Sequence, residues 1–132
     1  MTRKSYGCSR PGCHKSRHYN DNNVNKNCCC VEGLAEQLED NEGEFVIVFE
    51  KNAIVIGRID EVRDDQVLVL EDVLLKVAFF DDRRVRVTPG VNPTITFDAF
   101  ISICKITEFL VIIAQNPRAA AQTIANNISN QL

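Results

Sequence analysis

The stretch that decides the fold is residues 45–73, FVIVFEKNAIVIGRIDEVRDDQVLVLEDV. Its three apolar runs are rich in Val, Ile, Leu and Phe, which favour β-strands. Lys51-Asn52 and Asp64-Asp65 separate these runs, and polar pairs in such places are typical of tight turns. Gly57 lies inside the second run and allows a strand to bend sharply. The stretch therefore predicts a meander of three strands, Glu44–Glu50, Ala53–Ile59 and Gln66–Glu71.

The β pattern continues to residue 115. Residues 109–114, FLVIIA, are apolar throughout, which fits either a buried strand or the entry into a last helix. Many short strands with turns between them predict a mainly β fold, either a small barrel or a sandwich. The further predicted strands are Val73–Phe80, Arg83–Thr88 and the long run Thr94–Ile106.

A helix is expected on each side of this β body. Residues 31–43 are predicted to form a short helix and a turn, because Leu34, Ala35 and Leu38 recur at helical spacing. Residues 116–132 begin with Asn and Pro, which cap and start helices. The second helix has an apolar stripe that needs a partner, either the β body or another subunit. The stripe consists of Ala121, Ile124, Ala125, Ile128 and Leu132.

Charge divides the chain of 132 residues into two parts. Residues 1–30 carry six basic side chains and one acidic, a net charge of +5, whereas residues 31–132 carry nine basic and seventeen acidic, a net charge of −8. The first part has few large apolar residues and cannot form a core, so we interpret residues 1–30 as an arm and residues 44–115 as the β body. Such an arm can dock on its own body or on a neighbour's. Its docking residues are expected to be Arg3, Lys4, Arg10, Lys15 and Arg17.

The sequence predicts neither a membrane partner nor a secretory signal. No apolar run reaches the roughly 18–20 residues that span a bilayer. The basic N-terminus, Met1–Ser5, is not followed by an apolar stretch. We therefore expect synthesis in the cytoplasm, with any export by another route.

Five of the six cysteines lie in the arm, and three of them are consecutive. Neighbouring side chains diverge along an extended chain, and adjacent cysteines rarely meet disulfide geometry. The triplet therefore favours bonds to several partners, with free thiols in a reducing cytoplasm as the alternative. Six cysteines allow fifteen pairings, so connectivity is left open. The candidates for disulfides between subunits are Cys8, Cys13, Cys28, Cys29, Cys30 and Cys104.

Cys104 lies in a β-prone run, and a lone strand cysteine is interpreted as a small buried hydrophobe or else as the acceptor of an arm cysteine. Zinc is a further alternative for the arm, which combines thiol and imidazole ligands that the cysteine triplet could complete. The spacing differs from that of common zinc modules, so no cofactor is assigned. The alternative ligands are Cys8, Cys13, His14 and His18.

Three acidic pairs lie at predicted turns. Paired carboxylates can bind calcium or act in catalysis, but at turns we interpret them as solvated loop tips that could also receive the basic arm. Phosphate-binding loops, GxSxG and HExxH motifs are absent, and both histidines belong to the arm. No catalytic residue and no enzymatic activity are predicted. The acidic pairs are Asp64 and Asp65, Glu71 and Asp72, and Asp81 and Asp82.

Residues 45–73 resemble the first motif of Sm-like small barrels: a strand, a Lys-Asn turn, a strand with a central glycine, an acidic turn, and a strand ending in Leu-Glu-Asp-Val. The resemblance implies an Sm-like or SH3-like barrel. The second Sm motif requires an Arg-Gly step, which is missing from Thr94–Ile106, TITFDAFISICKI. The RNA-contacting residues of that family therefore have no counterparts here.

The junction Cys28-Cys29-Cys30-Val31-Glu32-Gly33-Leu34 resembles small cysteine-rich proteins of the spore coat and exosporium, in which clustered cysteines precede a short helix. The arm is also similar to the N-terminal connectors of spore-appendage subunits, which cross to the next subunit and form disulfides. These resemblances imply a self-assembling structural protein of a spore surface. Its partners would be copies of itself and other cysteine-rich surface proteins, in a filament, a sheet or a ring.

The alternative function is an Sm-like module that binds nucleic acid or protein, with zinc in the arm. The net charge of −8 on residues 31–132 argues against phosphate binding by the barrel, so nucleic acid is not an expected partner.

Overall fold

The computed structural model describes residues 32–132. In chain order its elements are α1 (Glu32–Glu39), β1 (Phe45–Glu50), β2 (Ala53–Arg63), β3 (Val67–Phe80), β4 (Arg83–Val87), β5 (Gly90–Val91), β6 (Thr94–Ile95), β7 (Ala99–Ser102), a 3-10 turn (Ile103–Lys105), β8 (Ile106–Val111) and α2 (Pro117–Asn130). The prediction of a mainly β fold with a short first helix and a C-terminal helix is confirmed.

One antiparallel sheet, in the order β4-β3-β2-β1-β8, organises the molecule. The outer edge of β3 carries two strands, because β7 pairs with its first residues, Val67–Leu70, and β4 pairs with its last, Lys76–Phe80. Strands β5 and β6 form a separate two-stranded ribbon. Since β4 and β8 do not pair with each other, the sheet does not close into a barrel.

A bulge in β3 bends the sheet opposite Gly57. Ile56 pairs with Leu75 and Arg58 pairs with Glu71, so three residues of β3 face one residue of β2. A β-carbon on Gly57 would lie 3.2 Å from Cγ2 and 3.3 Å from Cα of Val73. Glycine is therefore needed here because the bulge approaches the backbone of β2 closely.

Both faces of the central strands are buried. In β1, Val46 and Val48 belong to a core cluster that includes residues of α1. Phe45 and Ile47 point to the opposite face and belong to a second cluster that includes residues of α2. Each fully buried aliphatic side chain contributes about 1.5–3 kcal/mol relative to an exposed one. The sheet is therefore a middle layer between two helices.

Helix α1 is anchored by two fully buried side chains, Ala35 and Leu38. The chain leaves the helix through Gly43, whose φ of 90° is readily adopted only by glycine. Its amide donates a hydrogen bond to the carbonyl of Ile59 at 2.8 Å, which ties the turn to β2. The first part of the predicted helix, before residue 32, lies outside the described residues.

Helix α2 begins as the sequence predicts. The side chain of Asn116 accepts a hydrogen bond from the amide of Ala119 at 3.1 Å, and Pro117 occupies the first turn. Ala121 and Ala125 are buried in the second core cluster, and Ile124 and Ile128 pack against it. The sequence left two alternatives for covering the apolar stripe, the β body or another subunit. The structure shows that the protein's own sheet covers it. Leu132, at the end of the stripe, is 37% exposed.

Two predicted segments have different boundaries in the structure. Gln66–Glu71 and Val73–Phe80 are not separate strands but parts of β3, joined through the bulge. The β-prone run Thr94–Ile106 does form strands, but not one continuous strand. The segment is divided into β6, β7 and the 3-10 turn, because Phe97 leaves the strand pattern and its carbonyl accepts a hydrogen bond from the amide of Val73 at 3.0 Å. Of the alternatives for residues 109–114, a strand is formed as far as Val111.

Within residues 32–132, neither helix has the length and apolar character required to cross a bilayer.

Candidate interaction surfaces

Cys104 lies in the 3-10 turn between β7 and β8, and not in a strand as its β-prone surroundings predict. It is half-buried, and its sulfur is disulfide-bonded. The preceding residue, Ile103, is fully buried in the core cluster that contains Ala35 and Leu38 of α1. The turn that carries Cys104 is therefore fixed against the same core as α1.

The predicted functional residues of the arm lie outside the described residues. Within residues 32–132, no group of three or more His, Cys, Asp and Glu side chains is arranged to hold a metal ion. The arm residues concerned are Cys8, Cys13, Cys28, Cys29 and Cys30, the docking residues Arg3, Lys4, Arg10, Lys15 and Arg17, and the alternative ligands His14 and His18.

Four of the six predicted acidic acceptors have a left-handed backbone. Asp64 and Asp65 connect β2 to β3 with φ of 52° and 59°, and Asp81 follows β3 with φ of 50°. Asp72, with φ of 52°, forms the bulge. Aspartate adopts this conformation more readily than most residues because its short side chain can hydrogen-bond locally. These carboxylates thus lie where the backbone turns, so the geometry of the turns explains the choice of aspartate.

The six acceptors do not form one surface. Asp64-Asp65 precede β3, Glu71-Asp72 lie in its middle, and Asp81-Asp82 follow it. Glu71 and Asp72 are within the strand and not at a turn as predicted. Each is paired with an arginine of the described residues: Glu71 with Arg58 at 2.7 Å, and Asp72 with Arg118 at 2.7 Å.

The hydrogen bonds from Arg118 hold the pKa of Asp72 below its usual value, although partial burial opposes the shift.

A concentrated acidic surface lies elsewhere, at α1 and the turn that follows it. Backbone hydrogen bonds link Gly43 and Glu44 to Ile59, which brings Asp60 beside this turn. We call this surface the acidic end. None of its five exposed carboxylates forms an ion pair in the part of the chain that the structure describes. They belong to Glu39, Asp40, Glu42, Glu44 and Asp60.

Sequence reasoning did not identify the acidic end. The signal was present, since residues 32–44 contain six acidic side chains and no Lys or Arg. Asp60 could not be added to it without knowing the contact between the turn and β2.

A second surface combines basic and apolar side chains at the β3–β4 hairpin. Ala78 pairs with both Ala53 and Val85, so the three share one face of the sheet. Phe80 lies two residues further along β3 on that same face, opposite Arg83. Phe80 is 56% exposed and Val85 is 45% exposed.

Charged side chains surround these apolar ones: cations around the hollow, and the exposed carboxylates of Asp81 and Asp82 at the tip of the hairpin. A hollow of about 260 Å³ on this face is lined by Phe80 together with three lysines and the carboxylate of Glu50. We call this surface the hairpin face. Its cations are Lys51, Lys76, Arg83 and Lys105.

The ion pairs of the described residues lie outside these two surfaces. Arg58, Arg63 and Arg118 are each paired with a carboxylate. No cation of the hairpin face forms an ion pair within residues 32–132. The molecule therefore presents unpaired positive charge on one surface and unpaired negative charge on another.

These two surfaces lie at opposite ends of β1. Glu44, of the acidic end, comes directly before the strand, and Lys51, of the hairpin face, comes directly after it. The strand has six residues, which corresponds to about 20 Å of extended chain. The opposite charges are thus too far apart to pair within one molecule.

Comparisons with known proteins do not place the chain in a family. No protein-family model matches it, and the search of curated proteins returned no significant match.

Proposed function

We propose that the protein is a structural, self-assembling protein whose N-terminal arm links copies of the molecule through disulfides. The observation that supports the disulfide part of this proposal is the disulfide at Cys104. The body thus has a bonding point for cysteine, and the five other cysteines of the chain lie between residues 8 and 30. The partner that we assign to Cys104 is one of these five. The remaining arm cysteines would then bond to other copies.

Charge supports the same role for the arm. Residues 1–30 have a net charge of +5 and residues 31–132 a net charge of −8, so an arm and a body attract each other before a covalent bond forms. The acidic acceptors named from the sequence are partly paired with arginines already. Asp81 and Asp82 form no ion pair in the described part, so these two of the named acceptors are available to an arm.

We propose a spore coat, an exosporium or a spore appendage as the location. This part of the proposal depends on the resemblance of residues 28–34 and of the arm to spore-surface proteins. Outer spore layers assemble in the mother-cell cytoplasm and are later exposed to air, which provides oxidising conditions for disulfides. Tagging the chain in its host and analysing isolated surface layers tests it, and a tag confined to the vegetative cytoplasm would contradict it.

Electrophoresis tests the assembly. Full-length protein purified in air is expected to give a ladder of covalent oligomers that collapses on reduction, and electron microscopy should show ordered filaments or sheets. Replacing Cys28, Cys29 and Cys30 together by Ser should shorten the ladder. Peptide mapping of the unreduced protein identifies the partner of Cys104. Monomeric migration with and without reductant would refute the proposal.

One observation favours the alternative, a nucleic-acid-binding module. The hairpin face combines an exposed ring, Phe80, with four cations, and single-stranded nucleic acids bind to such combinations by stacking and phosphate contacts. Salt-dependent binding of a single-stranded RNA, lost in Phe80→Ser, would support this function. We rank it second because the body as a whole is acidic.

A further inference from the structure

We infer that the hairpin face of one copy binds the acidic end of the next copy, in a repeated head-to-tail contact. This inference deepens the proposed function, on which it rests, by naming a noncovalent contact between copies. The contact joins the hairpin face to the acidic end and needs no disulfide, whereas the covalent links join cysteines.

Charge complementarity identifies the partner. The hairpin face carries four cations against the single carboxylate of Glu50 in its hollow, and the acidic end carries five exposed carboxylates. None of the four cations or of the five carboxylates forms an ion pair within residues 32–132. Complementary surfaces of this kind steer association and fix its orientation. Because every copy of the chain carries both surfaces, each basic surface has an acidic surface available to it at the same concentration.

Exposed apolar area gives the contact its centre. Phe80 and Val85 are about half exposed, and each faces outward among charged residues. An apolar centre with a charged rim is the usual composition of a protein interface, in which buried aromatic residues contribute most of the affinity. In the proposed contact Phe80 is covered by the neighbour while its surrounding lysines meet carboxylates.

A symmetric contact between two hairpin faces is disfavoured. It would set Lys51, Lys76 and Arg83 of one copy against the same residues of the other. Edge-to-edge pairing of two β4 strands is disfavoured too, because Arg84 and Arg86 make this edge uniformly basic. Two different surfaces at opposite ends of β1 form a heterologous contact, which produces a filament or a ring.

Sedimentation velocity of the full-length protein under reducing conditions tests the contact without disulfides. Oligomers are expected at about 0.05 M NaCl, and monomers at about 1 M, where the screening length falls to about 3 Å. Two double variants should each weaken association about tenfold or more. One carries Lys76→Glu and Arg83→Glu on the hairpin face, and the other carries Glu39→Lys and Asp40→Lys at the acidic end. Mixing these two variants should restore association, because each altered surface then meets a complementary one.

Each variant has a matched control. Arg84 is on β4 next to Arg83 but points to the other face of the sheet, so Arg84→Glu should have a smaller effect than Arg83→Glu. Phe80→Ser should abolish the contact, whereas Phe100→Ser should not, although Phe100 is 61% exposed. Far-UV circular dichroism and thermal unfolding verify that all variants are folded.

The inference would be overturned by reduced protein that is monomeric at every salt concentration, or by association that is unaffected by Glu39→Lys with Asp40→Lys. RNA binding that requires Phe80, with self-association unaffected by its loss, would also overturn it. A disulfide ladder in air together with monomers under reduction would refute this contact and leave the proposed function intact. Salt-sensitive oligomers without a disulfide ladder would refute the covalent links of the proposed function and leave this noncovalent contact intact.

Discussion

Arg118, on α2, forms two hydrogen bonds with the carboxylate of Asp72, at the bulge of β3. Its Nε lies 2.7 Å from Oδ2, and its Nη2 lies 3.1 Å from Oδ1. Asp72 has a left-handed backbone, so the residue that allows the bulge is also the residue that α2 contacts. The pair connects the bend of the sheet to the helix that covers it.

Removing this pair should destabilise the protein in a pH-dependent way. Arg118→Met is expected to lower the free energy of unfolding by about 0.2–1 kcal/mol at pH 7, the range for exposed ion pairs. The pKa of Asp72 is lowered in the folded state. Its contribution is therefore present above the unfolded pKa of about 4 and is lost as pH falls through the lower folded value.

Urea unfolding of both proteins at pH 7 and at successively lower pH below 4 checks this expectation. The difference between wild type and Arg118→Met should shrink as the pH falls. An equal difference at every pH would show that Arg118 acts through packing alone.

Gly57→Ala should destabilise the fold by about 1–3 kcal/mol, because the added methyl meets the backbone and side chain of Val73 in a well-packed region. Urea unfolding measures the loss. Gly57→Asn should be worse than Gly57→Ala, since the obstacle is space and not the backbone conformation.

Gly43 provides the contrast, because a β-carbon there would meet nothing within 4 Å but its φ is 90°. At Gly43, Asn should be tolerated better than Ala, since Asn adopts the left-handed region more readily. The same order of stability at both glycines would contradict this division of roles.

Leu38→Ala should cost about 2–5 kcal/mol, the usual range for a large-to-small change in a core. Leu38 is fully buried and connects α1 to the first core cluster. Chemical denaturation measures the change. Leu132→Ala is a suitable control, since Leu132 is 37% exposed and should change stability by less than about 0.5 kcal/mol. Equal effects at the two positions would mean that α1 does not depend on this anchor.

Asp64 separates the role of charge from the role of backbone conformation. Asp64→Asn removes the charge but keeps a residue suited to φ of 52°, so stability should be nearly unchanged. Asp64→Val should cost about 1–2 kcal/mol, because a β-branched residue is strained in the left-handed region. Thermal unfolding compares the variants. If Asn is as costly as Val, the carboxylate itself stabilises the protein.

Local patterns predicted most of the elements. The turn at Asp64-Asp65, the cap at Asn116 and the helical spacing of Ala35 and Leu38 depend on neighbours in sequence, and the structure confirms all three. The division of Thr94–Ile106 depends instead on a hydrogen bond between Phe97 and Val73, which no local preference encodes.

The surfaces were harder to predict than the strands. The hairpin face gathers Lys51, Lys76, Arg83 and Lys105 from four places in the sequence, and only strand pairing brings them together. The acidic pairs were prominent in the sequence, yet four of their six residues have a left-handed backbone, which favours aspartate whatever its charge does. Acidic residues that are neighbours in the sequence therefore marked turns, whereas the charged surfaces became visible only from side chains that are neighbours in the structure.

The burial of β1 on both sides affects how the chain aligns its strands during folding. If this strand shifted by one residue, Val46 and Val48 would move to the face now occupied by Phe45 and Ile47, and the reverse. Both faces would still present apolar side chains to a core. Hydrophobic alternation thus does not discriminate against misalignment here, as it does in a sheet with one wet face. The correct offset of β1 must come from its connections, such as the two-residue turn Lys51-Asn52 that pairs Glu50 with Ala53. A sequence change in those short connections can therefore produce a mispaired sheet even when every core side chain is retained.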